Sequence, residues 1–198
     1  MSDTALILLA AGSSSRMGSP KQLLRFRGEP LVRHAARTAL DAGCLPVIVV
    51  LGANEREIQP ALDGLAVEIV VNPRWMEGMG TSIRAGLNAL GNRAVRGAIL
   101  ALADQPFVTA DTLRALTQRH LESGVPIVAS RYLDTVGVPV FFQRAVWSLL
   151  MEIKPAEGCK GVILRNADDA VLLDCPEAAI DLDTPADYAR ALQAEAWL

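Results

Sequence analysis

The chain has 198 residues, 51% hydrophobic and 21% charged, with a formal net charge of −3. Those proportions describe one compact domain with a sizeable core, and they exclude a protein that works by gripping a nucleic-acid backbone, which needs a basic face. The three cysteines, Cys44, Cys159 and Cys175, are far apart and form no C-x-x-C pair, so neither a disulfide framework nor a zinc site is expected, and a reducing cytoplasm is.

The opening apolar run carries Asp3 where a signal peptide would be basic, and a polar loop follows it at once, so TALILLAA (4–11) is expected to be a buried strand. A polar loop, GSSSRMGSPK (12–21), comes next. A helix is expected over 30–42, opened by Pro30 and stopped by Gly43. Two strands follow, PVIVVLG (46–52) and AVEIVV (66–71), then a loop from Asn72 to Ser82. A helix over 81–90 has Ile83, Leu87 and Leu90 on one stripe, and GAILALA (97–103) is a further strand. The helix over 110–122 places Leu113, Leu116 and Leu121 inward, and PIVAS (126–130) is the next strand. After Asp134 the pattern loosens into a strand, GVPVFF, helices over 143–151 and 158–166, a final strand, AIDLD, and a C-terminal helix. No apolar stretch approaches the roughly 20 residues of a membrane span, so no membrane contact is expected.

The strands are continuous apolar runs, as strands covered on both faces should be. Their alternation with helices predicts a single Rossmann-like, three-layer α/β domain over residues 1–198, with a mainly parallel central sheet and right-handed crossovers. In such sheets ligands lie beyond the carboxyl ends of the strands. The loop from Gly12 to Gly18 falls at such an end: glycine and serine offer N–H and hydroxyl groups, and Arg16 and Lys21 supply positive charge, which together suit a polyphosphate. The spacing is neither Walker A nor G-x-G-x-x-G.

Asp104, in ALADQPF, follows a buried strand at the same edge, where a carboxylate suits a hard cation such as Mg²⁺. In AIDLD, alternation sends Ile180 and Leu182 one way and Asp181 and Asp183 the other, so both acids share a face. Thr184, Pro185 and Asp187 also make a good helix start. His34 and His120 sit in expected helices away from these motifs, and no Ser-His-Asp arrangement can be assembled.

The loop Leu9, Ala10, Ala11, Gly12, Arg16, Met17, Gly18 and Lys21 resembles L-A-A-G-x-x-x-R-M-G-x-x-K, the signature of the MobA-like nucleotidyltransferases. NPRWMEGMGTSIRAGL, ALADQPFV, VGVPVFF and DLDTPADY are similar to the corresponding blocks of its MocA branch, the molybdenum cofactor cytidylyltransferases. The resemblance implies a fold of the nucleotide-diphospho-sugar transferase type and transfer of CMP from CTP to the phosphate of molybdopterin, with release of pyrophosphate. It implies Lys21, Arg16 and Asp104 as catalytic residues, and nucleotide contacts from Leu9, Ala10, Ala11, Gly12, Arg16, Lys21, Gly78, Gly80 and Ser82. The acceptor side would comprise Trp75, Gly137, Pro139 and Lys160. Trp75 suits a planar ring and suits the core equally.

Mg²⁺ would be held by Asp104 with Asp183 or Asp181. Many guanylyl relatives carry Gly-Gly at Ala10-Ala11, so the resemblance leans to cytidine, and many relatives carry Asp at Cys159. A transient contact with a molybdoenzyme or its chaperone belongs to the same expectation. The competing readings are a GTP-using relative or one with another phosphorylated acceptor, and a non-catalytic nucleotide-binding protein that delivers the cofactor. All depend on one condition: the basic loop and the downstream carboxylates must converge at one edge of the sheet.

Overall fold

The structure, a computed structural model, describes residues 3–195. β1 (Thr4–Leu9) is buried at all six positions, and the polar loop leads from it to a short hairpin, β2 (Arg25–Phe26) and β3 (Glu29–Pro30). α1 (Leu31–Asp41), β4 (Val47–Leu51), α2 (Glu55–Ile58) and β5 (Glu68–Val71) follow. α3 (Met79–Leu90) and β6 (Gly97–Leu102) complete the first half. The second contains α4 (Ala110–Ser123), β7 (Ile127–Tyr132), β8 (Thr135–Gln143), α5 (Trp147–Met151), α6 (Lys160–Arg165), β9 (Ala170–Asp174) and α7 (Pro185–Glu195).

The seven-stranded sheet has the order β5-β4-β1-β6-β8-β7-β9, and β8 alone runs against the others. From β1 the chain builds outward through β4 and β5, then returns to place β6 on the other flank. The order therefore reverses beside β1, and a crevice opens at the carboxyl ends of β1 and β6.

Alternation along β1 divides the core. Ala5, Ile7 and Leu9 face Ile83, Leu87 and Leu90 of α3 on one side, while Leu6 and Leu8 face Val32, Ala36 and Ala39 of α1 and Leu113 and Leu116 of α4 on the other. Each fully buried Leu or Ile side chain contributes about 1.5–3 kcal/mol of apolar transfer free energy. Gly86 lets α3 settle onto the sheet, since a Cβ there would lie 2.4 Å from Ile7 Cγ2. A third cluster, Phe26, Leu31, Leu182 and Ala191, ties the hairpin and α7 to the main body. No helix of the described residues is long and apolar enough to cross a membrane.

Three expectations are corrected. AIDLD is not a sheet strand: residues 180–184 form an irregular segment, and Leu182 makes its backbone contact with the loop after β6, donating to Asp104 O at 3.0 Å. The strand of this region is β9, at the edge of the sheet beside β7. In α4, Leu121 is 51% exposed, and His120 takes the place expected of it. Leu113, Leu116 and His120 share a helical stripe, and the imidazole stacks on Phe141 with ring centres 4.4 Å apart. The expected helix over 143–151 is a 3-10 turn, Arg144–Val146, followed by the five residues of α5.

Candidate active site

The polar loop is built by side chains that bond back to its own backbone. Gln22 is 2% exposed, and its Nε2 donates to Ala10 O at 2.9 Å and Gly12 O at 2.8 Å. Ser14 Oγ donates to Gln22 Oε1 at 3.2 Å and accepts from Lys21 N at 3.0 Å, closing the loop across its neck. The loop is thus a cradle tied at its neck, with Gly12, Ser13, Ser15, Arg16, Gly18 and Ser19 exposed. Inside it, a Cβ on Gly12 would meet nothing within 4 Å, and its backbone does not need glycine's left-handed region. The open space beside Gly12 is free for a ligand.

Lys21 is carried on a 3-10 turn, Lys21–Leu23, which turns its ammonium toward the end of β6. It forms an ion pair with Asp104 and donates to Asp183 Oδ1 at 2.7 Å, while Arg16 reaches Asp183 Oδ2 at 2.9 Å. The basic loop and the downstream acids therefore meet at one edge of the sheet. Burial works against the Lys21 ammonium, yet the Asp104 and Asp183 carboxylates outweigh it and hold its pKa above the ordinary value. The hydrogen bond from Lys21, with added help from Arg16, holds the Asp183 carboxyl below its usual range. Asp181 behaves in the opposite way: its outer face is open to water, but the enclosing walls and then the Asp104 carboxylate push it up to about 6. Asp104 Oδ1 is buried without a hydrogen-bond partner.

The opposite wall is the segment from Asn72 to Ser82. Buried Asn72 braces it, donating to Thr81 Oγ1 at 2.8 Å and Ser82 Oγ at 3.0 Å and accepting from Arg74 N at 3.0 Å. Gly78, at φ +121°, lies against the turn at Pro155 and Ala156, where a Cβ would come within 2.5 Å of Pro155 O. Its N–H and that of Gly80 are engaged by Trp75 O at 3.1 Å and Pro155 O at 2.9 Å, so neither is a free donor. Gly80 does not line the cavity; it packs on Lys154 O, which corrects its expected contact with nucleotide. Trp75 is half-buried, seated over Gly52, and lines the cavity with Met76, which is 78% exposed.

These walls enclose a cavity of about 540 Å³. Leu9, Ala10, Ala11, Gly12, Arg16 and Lys21 line it, as do Gly78, Ser82, Asp104, Asp181 and Asp183. The Ala10 methyl also packs in the core under α1 and α4, and that of Ala11 lies beside Gly52. Of the expected acceptor residues only Trp75 lines the cavity. Gly137, Pro139 and Lys160 do not line it: Lys160 Nζ donates to Thr135 Oγ1 at 2.5 Å, Pro139 O accepts from Ser130 Oγ at 2.6 Å, and Gly137 gives room to the Tyr132 hydroxyl.

Cys159 is buried, and that burial pushes its thiol up to about 12. His34 and His120 are buried structural residues, bonded to Pro106 O at 3.0 Å and Val125 O at 2.7 Å. The buried amides Gln22, Asn72 and Gln105 are the site-building residues that sequence reasoning missed. Their only signal was position, each beside a motif residue or within a motif loop.

A mainly parallel sheet with its crevice at the order reversal, a glycine cradle and converging carboxylates define an α/β domain with a site suited to a polyphosphate and a cation. A family profile described as "MobA-like NTP transferase domain" matches residues 6–170, and the chain belongs to that family of nucleotidyltransferases. It is 33% identical to the nicotine blue oxidoreductase of Paenarthrobacter nicotinovorans, over 97% of this chain and 100% of that one. A 2-C-methyl-D-erythritol 4-phosphate cytidylyltransferase of Leptospira interrogans is 29% identical over 81% of this chain and 71% of its own length. Among solved structures, Rv0371c from Mycobacterium tuberculosis H37Rv superposes with a TM-score of 0.78 at 32% identity, covering 97% of this chain and 98% of that one. A complex of the same protein with manganese gives 0.73 at 30% identity, over 96% and 98%.

Proposed function

We propose that the protein transfers CMP from CTP to the phosphate of a molybdopterin-type acceptor. The carrying observation is the meeting of Lys21 with Asp104 and Asp183 at the mouth of the glycine cradle. An acceptor phosphate oxygen attacks the α-phosphorus of CTP, the bond from that phosphorus to the bridging oxygen breaks, and pyrophosphate leaves with the electron pair. An ionised phosphate needs no general base, so the work of the protein is positioning and charge neutralisation. Lys21 and Arg16 meet the charge that builds on the phosphates, and the backbone at Gly12 leaves room for them.

The donor set fits a hard divalent cation: Asp104 Oδ1 is a buried carboxylate oxygen without a partner, and Asp181 and Asp183 line the same cavity. Among the described residues no three His, Cys, Asp or Glu side chains are grouped so as to hold an ion by themselves, so an ion here would need further oxygens from water and phosphate. Mg²⁺ would be held by Asp104 with Asp181 or Asp183. When bound, it supplies positive charge to the triphosphate. Cytidine is favoured by Ala10-Ala11 and by the similarity to a cytidylyltransferase. Trp75, Gly137, Pro139 and Lys160 are assigned to the acceptor, and the reaction is assigned to the cytoplasm, with no nucleic acid or membrane partner.

The test is pyrophosphate release across the four nucleoside triphosphates, with and without molybdopterin. CTP turnover that requires molybdopterin is expected. Equal turnover of GTP would remove the cytidine assignment, and nucleotide binding without pyrophosphate release would favour a delivery protein. Oxidation of reduced nicotinamide nucleotide is assayed alongside, since one relative is named an oxidoreductase; such activity without pyrophosphate release would overturn the proposal.

A further inference from the structure

Gln105 directly follows Asp104 and is 3% exposed, yet no step above uses it. Its Nε2 donates to Ala178 O at 2.8 Å and, at 3.4 Å, to Val138 O. Two carbonyl acceptors on one side fix which end of the amide is nitrogen, and Oε1 is left buried without a partner. A core position filled only for volume would hold Leu or Met, because a buried acceptor left unbonded costs free energy. What the amide gains is its hold on two separate segments.

Ala178 lies in the 3-10 turn Pro176–Ala179, immediately before the irregular stretch that carries Asp181 and Asp183. No strand pairing locates that stretch. Its start is held at Cys175, whose N–H donates to Arg131 O at 2.9 Å, and at Glu177, which accepts from Thr112 Oγ1 at 2.5 Å. Beyond those points its polar ties are the pairs of Asp183 with Lys21 and Arg16, the bond from Leu182 N to Asp104 O, and two contacts of Gln105, which donates to Ala178 O and whose side chain hydrogen-bonds the Asp181 carboxyl. The ties from Ala178, Asp181 and Leu182 all end on the dipeptide Asp104-Gln105, so the stretch is hung from the residue that supplies the third acid and from its neighbour.

We infer that Gln105 is a positioning residue: it sets Asp181 and Asp183 against Asp104, and thereby sets the affinity of the nucleotide complex for a divalent cation. The inference rests on the metal–nucleotide assignment above. Outer residues that orient metal ligands typically change metal affinity by about 10- to 100-fold when removed. Gln105→Met keeps the volume and removes both donors. Gln105→Glu keeps the shape but cannot donate to either carbonyl as a carboxylate, and it is the second variant if the first fails to fold.

The experiment is Mn²⁺ titration read by electron paramagnetic resonance, with saturating CTP, together with CTP affinity measured without metal. In both variants Mn²⁺ affinity is expected to fall about tenfold or more, with metal-free CTP affinity unchanged. The metal concentration for half-maximal pyrophosphate release should rise by the same factor, and kcat should recover at saturating metal. Unchanged Mn²⁺ affinity would overturn the inference. So would a matching loss of metal-free CTP affinity with no recovery at high metal, which would make Gln105 a structural residue only. Wild-type protein that binds Mn²⁺ with CTP, with the variants weakened, but that releases no pyrophosphate, would sustain the role of Gln105 while removing the transferase proposal.

Discussion

The two halves of the candidate site are held by different means. The cradle after β1 grows from the centre of the sheet: β1 is paired on both flanks by parallel strands, and Gln22 and Ser14 lock the loop from within. The acid-bearing stretch after β9 has no strand partner and is placed by side-chain tethers and by Leu182 in the small third cluster. The precision of the first half comes from sheet geometry, and that of the second from a few buried polar bonds. Asp104, on the loop after the central strand β6, belongs structurally to the first half and electrostatically to the second.

The largest effects should come from the residues that join the halves. Lys21→Ala and Asp104→Ala are each expected to lower kcat for pyrophosphate release by roughly a hundred- to a thousandfold, the usual loss when a preorganised charge at a reacting group is removed. Circular dichroism checks that the fold persists. A loss below tenfold in either variant would break the comparison, because the join would then not be where the chemistry is held.

A sharper contrast lies between two glycines. A Cβ on Gly12 points into open space, so Gly12→Ala should melt like wild type and bind CTP about tenfold more weakly, within the range for one methyl group in a pocket. A Cβ on Gly80 would lie 2.4 Å from Lys154 O, so Gly80→Ala should lower the melting temperature first. Calorimetry and a CTP titration on both variants read this difference. Arg16→Ala should leave the melting temperature nearly unchanged, since its pair with Asp183 is exposed and such pairs are worth about 0.2–1 kcal/mol, and it should lower kcat by less than the loss of the more enclosed Lys21 does. A salt series would show that small difference shrinking as ionic strength rises.

The same division decides what could be read from the sequence. β1, β4 and β6 announce themselves as continuous apolar runs because both of their faces are covered, and Gly12, Lys21 and Asp104 stand out because they interrupt or end such runs. β9 does not, since an edge strand with partly exposed positions lacks that density. AIDLD imitates a strand because its alternation is real but has another cause: Leu182 is buried against Phe26, Leu31 and Ala191 in the third cluster, while Ile180 is 41% exposed. Gln22, Asn72 and Gln105 were illegible because a buried amide and a surface amide are spelled alike. Only the backbone carbonyls or hydroxyls that each one meets tell them apart.

The finest test lies within the tethered half, where two acids separated by one residue should respond to pH with opposite sign. Asp183 has its pKa lowered, chiefly by the hydrogen bond from Lys21, so its ionised form favours the folded state. That stability is present above the ordinary carboxyl value of 3.8 and is lost as pH falls below it. Asp181 is raised from 3.8 to about 6, so folding favours its neutral form; the associated stability is full below 3.8 and is lost as pH rises through about 6. In buffer free of metal and nucleotide, Asp183→Asn should therefore melt below wild type at pH 7, with the gap closing toward pH 3. Asp181→Asn should melt above wild type at pH 7 and match it near pH 4. Shifts of a few degrees or less are expected for a chain of this length, because both groups are partly open to solvent. If both variants move in the same direction at pH 7, Lys21 does not distinguish the two acids, and Asp183 is no more fixed by the cradle than Asp181 is.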